Sequence, residues 1–342
     1  MCRRAEALGY PGRSPPARAV ADYLLKDHYF GHRVGMLLPQ VVMGQRSVDR
    51  NLFRSSCGAH HSQEFSTPSI GFNLCEQCYR QPAPERPMNE TFRPRPQPGW
   101  RLTQTGGGRL VLTPEGMRFV VAGATTRRYA NAQIDDYTGL PRHRFPWHAP
   151  LRLTVVARVG TPVRGTAGFG FWNAPISPIG KVLPVLPAAI WFFYASPPAN
   201  MPLAYGVPGF GWKVATIDAT TRRALRWAPV APLVMLANRL PGIYERLWHH
   251  VQRALSVSEA TIPPPDDTFR TFTLEWLTGG ARFLIDGQVV HETDCAPRGR
   301  LGFVAWVDNQ WLIATPRGEF GWGLLDIPGA QWMEIAQVRI EG

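Results

Sequence analysis

The densest group of polar side chains in the sequence is Asn-Ala-Gln-Ile-Asp-Asp-Tyr, which runs from Asn131 to Tyr137. In a loop, Asp135 and Asp136 could bind Ca²⁺ together with the oxygens of Asn131 and Gln133, since this ion prefers carboxylate and amide oxygens. In a strand, the two aspartates point to opposite faces and cannot act together as an acid and a base. The segment therefore predicts either an oxygen-rich site or an edge strand with solvated acids.

A second polar group lies between Val307 and Trp311, after the apolar run Leu-Gly-Phe-Val-Ala-Trp. Asp308, Asn309 and Gln310 could hydrogen-bond the hydroxyls of a sugar, while the indole of Trp311 stacks on the face of the sugar ring. The alternative is a turn, because Asp and Asn are common turn residues. Both interpretations stay open on sequence alone.

Aromatic side chains recur on short segments that Gly and Pro flank, at Trp172, Trp191, Phe193, Tyr194, Trp311 and Trp322. Gathered on one concave face, they would form a platform for a carbohydrate or a pocket for an apolar ligand. Distributed over both faces, they would be ordinary core residues. Asn173 directly follows Trp172 and is the polar companion that we expect to contact a ligand.

A third type of site is suggested by Cys57-x-x-His60-His61 and Cys75-x-x-Cys78. Two close pairs of soft ligands can complete a tetrahedral zinc site, so Cys57, His60, Cys75 and Cys78 are the candidate ligands. The second pair has the usual spacing, and the first departs from the commoner Cys-x-x-Cys. No cofactor other than Zn²⁺ or Ca²⁺ is indicated.

The charge of the chain does not indicate nucleic-acid binding. The net charge is +12, and 34 of the 37 basic residues are Arg because Lys occurs only at positions 26, 181 and 213. These charges are scattered, with no run of five or six basic residues, whereas a nucleic-acid site needs them clustered.

The sequence predicts neither a membrane span nor a secretory leader, since it lacks an uncharged apolar stretch of 18 or more residues and an apolar segment near Met1. Of its five cysteines, only Cys295 follows residue 87, so the later region cannot form an internal disulfide. These features favour a cytoplasmic protein.

The chain divides into two regions of different character. Residues 1–87 are broken by Gly, Pro and Ser and predict a largely irregular extension with one helix, from Ala17 to Tyr29. Two interpretations of this region stay open: an irregular arm, or upstream sequence before a true start at Met88. Residues 88–342 carry strand patterns at short intervals, such as the alternation of Leu-Arg-Leu-Thr-Val-Val-Ala-Arg-Val from Leu151.

One part of the second region breaks the strand pattern. Between about 228 and 260, apolar residues recur at helical spacing, at Ile243, Leu247, Val251 and Leu255. The break at Pro241-Gly242 predicts two short helices, inserted as an excursion over one edge of the sheets.

The segment Thr-Phe-Thr-Leu-Glu-Trp-Leu-Thr-Gly-Gly-Ala-Arg-Phe-Leu-Ile-Asp-Gly-Gln-Val-Val, which begins at Thr271, resembles a hairpin of concanavalin A-like domains, notably glycoside hydrolase family 16 and laminin-G-type modules. The Gly-rich turn before Phe-Trp at 171–172 and the closing Met-Glu-Ile-Ala-Gln-Val-Arg-Ile-Glu-Gly resemble further strands of these families. The resemblance covers roughly 100–342 and implies an all-β, concanavalin A-like jelly-roll sandwich, here with a short helical insertion and the N-terminal extension.

The family 16 hydrolases carry Glu-x-Asp-x-x-Glu soon after the Phe-Trp strand, and these carboxylates perform the hydrolysis. Here the corresponding segment, Ala189 to Ala195, contains no carboxylate, and the motif is absent from the chain. The first hypothesis is therefore a binding protein for a glycan or similar small ligand. Two alternatives are a glycoside hydrolase-like enzyme that uses Asp135, Asp136, Asp308 or Glu275, and a carrier of apolar ligands with the helices as a lid.

Overall fold

The computed structural model describes residues 87–160, 162–175, 185–240 and 242–342. The predicted helix from Ala17 to Tyr29 and the four candidate zinc ligands, Cys57, His60, Cys75 and Cys78, lie outside the described residues. No helix in the part of the chain that the structure describes is long and apolar enough to cross a membrane.

Two antiparallel sheets form the body of the domain. The first sheet has the strand order β13 (Gln288–Thr293), β12 (Gly280–Ile285), β11 (Arg270–Leu277), β6 (Leu151–Gly160), β17 (Ile327–Glu341), β4 (Met117–Ala124) and β3 (Gly108–Leu112), with β1 (Met88–Glu90) paired to β17. The second sheet has the order β10 (Ser258–Thr261), β9 (Gly211–Asp218), β8 (Ala188–Ala195), β7 (Thr166–Trp172), β14 (Gly302–Asp308), β5 (Asn131–Asp135) and β2 (Arg101–Thr105).

The core lies between the two sheets and is largely aromatic. From the second sheet, Phe169 and Phe192 pack edge to face on Phe272 of the first, with ring centroids 5.2 and 5.3 Å apart. Phe171 lies 5.7 Å from the ring of Trp276. Because side chains alternate along a strand, each residue that enters this core leaves its neighbours on the opposite face of the sheet.

The hairpin and the closing strand take the places that the resemblance implies. Asp286 and Gly287 both have positive φ, 50° and 80°, as a two-residue turn between right-twisted strands requires, and they join β12 to β13. The closing strand β17 pairs with β1, so the two ends of the described domain meet in the first sheet. The fold is thus a concanavalin A-like jelly-roll β-sandwich, and the prediction of an all-β class is confirmed.

A helical insertion is present, but its limits differ from the prediction of 228–260. It comprises α1 (Arg222–Trp227), α2 (Ala231–Ala237) and α3 (Ile243–Ala254). It starts early because the Thr221 side chain accepts a hydrogen bond from the Ala224 amide and caps α1. It ends early because residues 258–261 pair with β9 as strand β10. A hairpin of β15 (Gln310–Ala314) and β16 (Phe320–Leu324), absent from the predicted pattern, follows β14.

Candidate functional site

The face of the second sheet that points away from the core carries most of the candidate residues, and we call it the distal face. Strand pairing places Trp191 beside Gly170, and Trp306 between Gly168 and Gln133. The same alternation puts Trp172 on this face and sends Phe169 and Phe171 into the core. The repeat Gly-Phe-Gly-Phe-Trp therefore supplies phenylalanines to the core on one side and the floor beneath the tryptophans on the other.

The tryptophans of the distal face lie side by side. The ring of Trp191 is 6.1 Å from that of Trp172 and 5.7 Å from that of Trp306. A Cβ at Gly170 would come within 2.6 Å of the Trp191 Cβ, and one at Gly168 within 3.1 Å of the Trp306 ring. The two glycines thus leave the space that these indoles occupy.

The indoles of Trp306 and Trp191 differ in whether their N–H groups have a hydrogen-bond acceptor. Trp306 donates from Nε1 to Thr166 Oγ1 at 2.8 Å. The Nε1 of Trp191 is buried and has no hydrogen-bond partner among the described residues. A buried donor without an acceptor costs free energy, so an acceptor brought by a ligand would remove a penalty that the free protein carries.

A ladder of amide and carboxylate groups runs along β5 next to these rings. Asn131 Nδ2 donates to Gln133 Oε1 at 3.3 Å, and Gln133 Nε2 donates to Asp135 Oδ2 at 3.1 Å. Asp135 also accepts from the Thr138 amide at 2.8 Å, and burial raises the pKa of its carboxyl. The buried Oδ1 of Asn131 has no partner among the described residues.

Asp136 points to the opposite side of the sheet from Asp135, as expected in a strand, but β5 lies between β14 and β2 and Asp135 is buried, so the predicted edge strand with solvated acids is wrong. Its carboxylate accepts from Trp147 Nε1 at 2.5 Å and from the Phe303 amide at 2.8 Å. Loss of solvent around it raises its pKa to about 7. Asp136 therefore links the end of β5 to Trp147 and to Phe303 of β14, and it does not share a site with Asp135.

The side chains from Asp308 to Trp311 make different kinds of contact and do not form one polar site. Asp308 accepts from the amide and hydroxyl of Thr166 at 3.1 and 2.8 Å, and burial raises its pKa to about 6. Asn309 is completely buried; its Nδ2 donates to three backbone carbonyls and its Oδ1 accepts from the Ala130 amide. Gln310 is exposed, and Trp311 packs against the cluster that contains Trp191 and Trp306.

Two further candidates, Asn173 and Tyr194, make contacts within the sheet. Asn173 bridges the end of β7 and the start of β8, because it donates to Leu186 O and accepts from the Ala188 amide. Tyr194 lies on the core side, where its ring is 5.1 Å from that of Trp212 and its hydroxyl donates to Val163 O. Neither side chain faces the tryptophans of the distal face.

The acids proposed for a hydrolase are not brought together. Glu275 lies on the first sheet, with its carboxylate 3.3 Å from Arg282 and 3.6 Å from Arg152. Asp135 pairs with Val304, four residues before Asp308, so the two aspartates are about 14 Å apart along the strands. Retaining and inverting glycosidases need carboxyl groups about 5 to 9.5 Å apart.

The structure adds two features that the sequence reasoning missed. The first is Trp306, which alternation along its strand could have placed on the same face as Asp308, whereas its position beside Gln133 depends on the pairing of β14 with β5. The second is a buried ion pair between Lys213 Nζ and Glu259 Oε1, 2.6 Å apart. It fastens the loop that contains Ala199 and Met201, which packs over the same aromatic cluster as Trp311.

No group of three or more His, Cys, Asp or Glu side chains within the described ranges is arranged to hold a metal ion. The cavity beside the helices, about 520 Å³ in volume, is lined by Arg239, Arg317 and Glu245 as well as by Tyr205 and Tyr244. A carrier of apolar ligands needs a cavity without polar groups, and this cavity contains three charged side chains.

No protein-family model and no curated protein sequence matches the chain. Among solved structures, the chain is similar to the Crh5 transglycosylase in complex with NAG, at 16% identity over 75% of this chain and 84% of that one, with a TM-score of 0.41. It is also similar to the Emp47p carbohydrate recognition domain, at 12% identity over 75% of this chain and 94% of that one, with a TM-score of 0.41. A third similar structure is a Bacillus licheniformis beta-glucanase, at 11% identity over 75% of this chain and 98% of that one, also with a TM-score of 0.41.

Proposed function

We propose that the distal face binds a carbohydrate or a chemically similar polyhydroxylated ligand, without hydrolysing it by the family 16 mechanism. The observation that carries this proposal is the row of three indoles, Trp172, Trp191 and Trp306, directly beside the ladder of Asn131, Gln133 and Asp135.

These two kinds of groups match the two kinds of surface on a sugar. A pyranose has apolar C–H faces, which stack on aromatic rings, and a rim of hydroxyls, which pair with amides and carboxylates. The N–H of Trp191 on β8 and the Oδ1 of Asn131 on β5 offer an unpaired donor and an unpaired acceptor on the same face of the sheet, with β7 and β14 between their strands. A hydroxyl can satisfy both types of group, because it donates and accepts.

The absence of a paired carboxylate on β8 supports a binding role over hydrolysis. The side chains that β8 presents on the distal face are Ala189, Trp191, Phe193 and Ala195. Aromatic and small apolar groups cannot serve as the nucleophile or the general acid of glycoside cleavage. The described acids of this face are not paired with one another, because Glu259 is fully buried against Lys213 and Asp135 lies about 14 Å from Asp308 along the strands.

The test is a glycan array screened with the full chain, followed by calorimetry on the ligands that bind. Trp172→Ala and Gln133→Ala should each weaken binding by about tenfold or more, since each removes about 1.4 kcal/mol or more of stacking or hydrogen bonding. Trp322→Ala is the matched control, because Trp322 is 55% exposed on the hairpin strand β16 and lies outside the distal face.

Circular dichroism and thermal melting would establish that each variant is folded. Binding that survives both Trp172→Ala and Gln133→Ala unchanged, or an array with no bound glycan, would overturn the proposal. Release of a reducing sugar from a bound glycan would contradict its non-hydrolytic part.

A further inference from the structure

A ridge of exposed apolar side chains covers the helical insertion. Five of them are between 40% and 67% exposed, and together we call them the apolar ridge: Leu225, Val230, Leu233, Leu236 and Leu240. Five large aliphatic groups exposed to water within 16 residues of one helical segment are unfavourable, and such surfaces usually mark a place where a partner docks.

The ridge belongs to a fixed part of the fold. Asn238 Nδ2, directly after α2, donates to Pro316 O at 2.8 Å, and Arg239 Nε donates to Arg317 O at 3.0 Å. These bonds attach α2 to the turn of the β15–β16 hairpin. Val234 is the buried residue through which α2 packs, so its leucines are left pointing outward.

The charges around the ridge are mainly positive, although two exposed acids, Glu245 beside the cavity and Glu319 on the hairpin turn, lie in the same region. Exposed arginines flank it in sequence and across the hairpin contact, at Arg222, Arg223, Arg226, Arg239 and Arg317. From residue 219 to residue 244 the sequence contains no Asp or Glu. The cavity next to α2 is lined by two of these arginines, Arg239 and Arg317, together with Tyr205, Tyr244 and one acid, Glu245.

We propose that this surface docks on an anionic membrane, with the leucines in the boundary between headgroups and acyl chains and the arginines on the lipid phosphates. Leucines beside a cluster of basic residues are the combination that interfacial segments use. Each basic residue near an anionic leaflet strengthens binding by about fivefold.

The same charges argue against the other occupants. In a symmetric dimer built on the ridge, the arginines of both copies would meet, and like charges at an interface are repulsive. Residues 1–86 contain 11 basic and 7 acidic side chains, a net charge of +4, and so offer no complement either.

The test is co-sedimentation of the full 342-residue chain with vesicles of phosphatidylcholine alone and of phosphatidylcholine with about one-third phosphatidylserine. We expect binding to the second vesicles and little to the first. Leu233→Ser/Leu236→Ser should reduce it by about tenfold or more. Arg222→Gln/Arg223→Gln/Arg226→Gln should reduce it by about 100-fold, and added salt should have a similar effect.

Matched controls exist on the first sheet and in the turn after β4. Val111→Ser/Leu112→Ser changes two residues that are 45% and 47% exposed on β3, and Arg127→Gln/Arg128→Gln removes two exposed charges. Both should bind vesicles like the unchanged protein, as should the glycan-site variant Gln133→Ala. Inorganic phosphate should not compete, because it lacks the acyl boundary that holds the leucines.

Three results would overturn the proposal. One is equal binding to both vesicles, and another is a control pair that loses as much binding as the ridge pair. The third is a lipid-free dimer, seen by light scattering, that Leu233→Ser/Leu236→Ser converts to a monomer, since the ridge would then be an interface between two copies.

Discussion

Replacing Lys213 with Met should destabilise the protein strongly, because it breaks the buried ion pair with Glu259. Both side chains have no exposed surface, and the two charged atoms are 2.6 Å apart. The ammonium also donates to Met201 O at 3.1 Å and to Pro208 O at 3.0 Å. Removal of one partner of a buried pair leaves an uncompensated charge, which costs about 3–5 kcal/mol.

The other half of the pair explains why the charge, and not the side-chain volume, decides the result. Glu259 Oε2 accepts from the amides of Leu203 and Ala204 at 2.9 and 3.1 Å, so it stays anchored when the lysine is lost. Lys213→Met/Glu259→Gln should recover most of the lost stability. Two neutral side chains need no countercharge, and the new amide oxygen can still accept from the loop.

Urea unfolding followed by tryptophan fluorescence measures these free energies. Arg339→Met is the matched control, because Arg339 and Glu341 also lie 2.6 Å apart, but their side chains are 53% and 37% exposed. An exposed pair at this distance contributes within about 1 kcal/mol. If Lys213→Met costs no more than Arg339→Met, or if the double variant is less stable than Lys213→Met, the reasoning from burial is refuted.

The deficit of Lys213→Met should also grow with pH. Burial raises the pKa of Glu259, and Lys213 opposes that rise, so the pKa rises further once the lysine is gone. A carboxyl with a raised folded-state pKa contributes stability below its unfolded pKa and loses it as the pH rises through the folded one. The free energy of unfolding should therefore fall further behind the unchanged protein at about pH 8 than at about pH 5.

Two further substitutions test other parts of the site. Gly170→Ala should lower the unfolding free energy by at least about 1–3 kcal/mol, because φ is 149° and the new Cβ would lie 2.5 Å from Ile190 O. The control Gly279→Ala has open space around it and should change the unfolding free energy by less than about 0.5 kcal/mol. Equal effects of the two substitutions would contradict the packing described for Trp191. Asp136 has a pKa of about 7, raised by burial, so its contribution to stability is lost as the pH rises from about 4 through 7. Asp136→Asn should flatten that part of the pH dependence in urea titrations, and an unchanged profile would argue against the raised pKa.

Local pattern was enough to predict much of the fold. The alternation from Leu151 and the Asp-Gly turn at 286–287 depend on neighbours in sequence, and the structure confirms the strand and the turn. The β15–β16 hairpin was missed because part of its backbone pairs with a distant loop: the Asn200 amide donates to Leu312 O, and the Ala314 amide donates to Asn200 O. The limits of the helical insertion were misplaced because pairing with β9 turns residues 258–261 into a strand.

For the site, residue type could nominate candidates but not sort them. Asn309 and Trp306 stand three residues apart, and both suit a sugar site by chemistry. In the structure, the side chain of Asn309 is hydrogen-bonded to four backbone groups, while Trp306 lies on the distal face beside Gln133. The difference lies in which chain segments surround each side chain.

The sequence by itself determined the strand-rich class and the lack of carboxylates from Ala189 to Ala195, because strand alternation and residue identity are local properties, and the jelly roll was implied by the family resemblance. Only the tertiary structure decided that Trp172, Trp191 and Trp306 adjoin one another, that Asp135 and Asp136 part to opposite faces, and that Glu275 lies on the other sheet. Those facts depend on strand order and register, which bring together residues more than 100 positions apart.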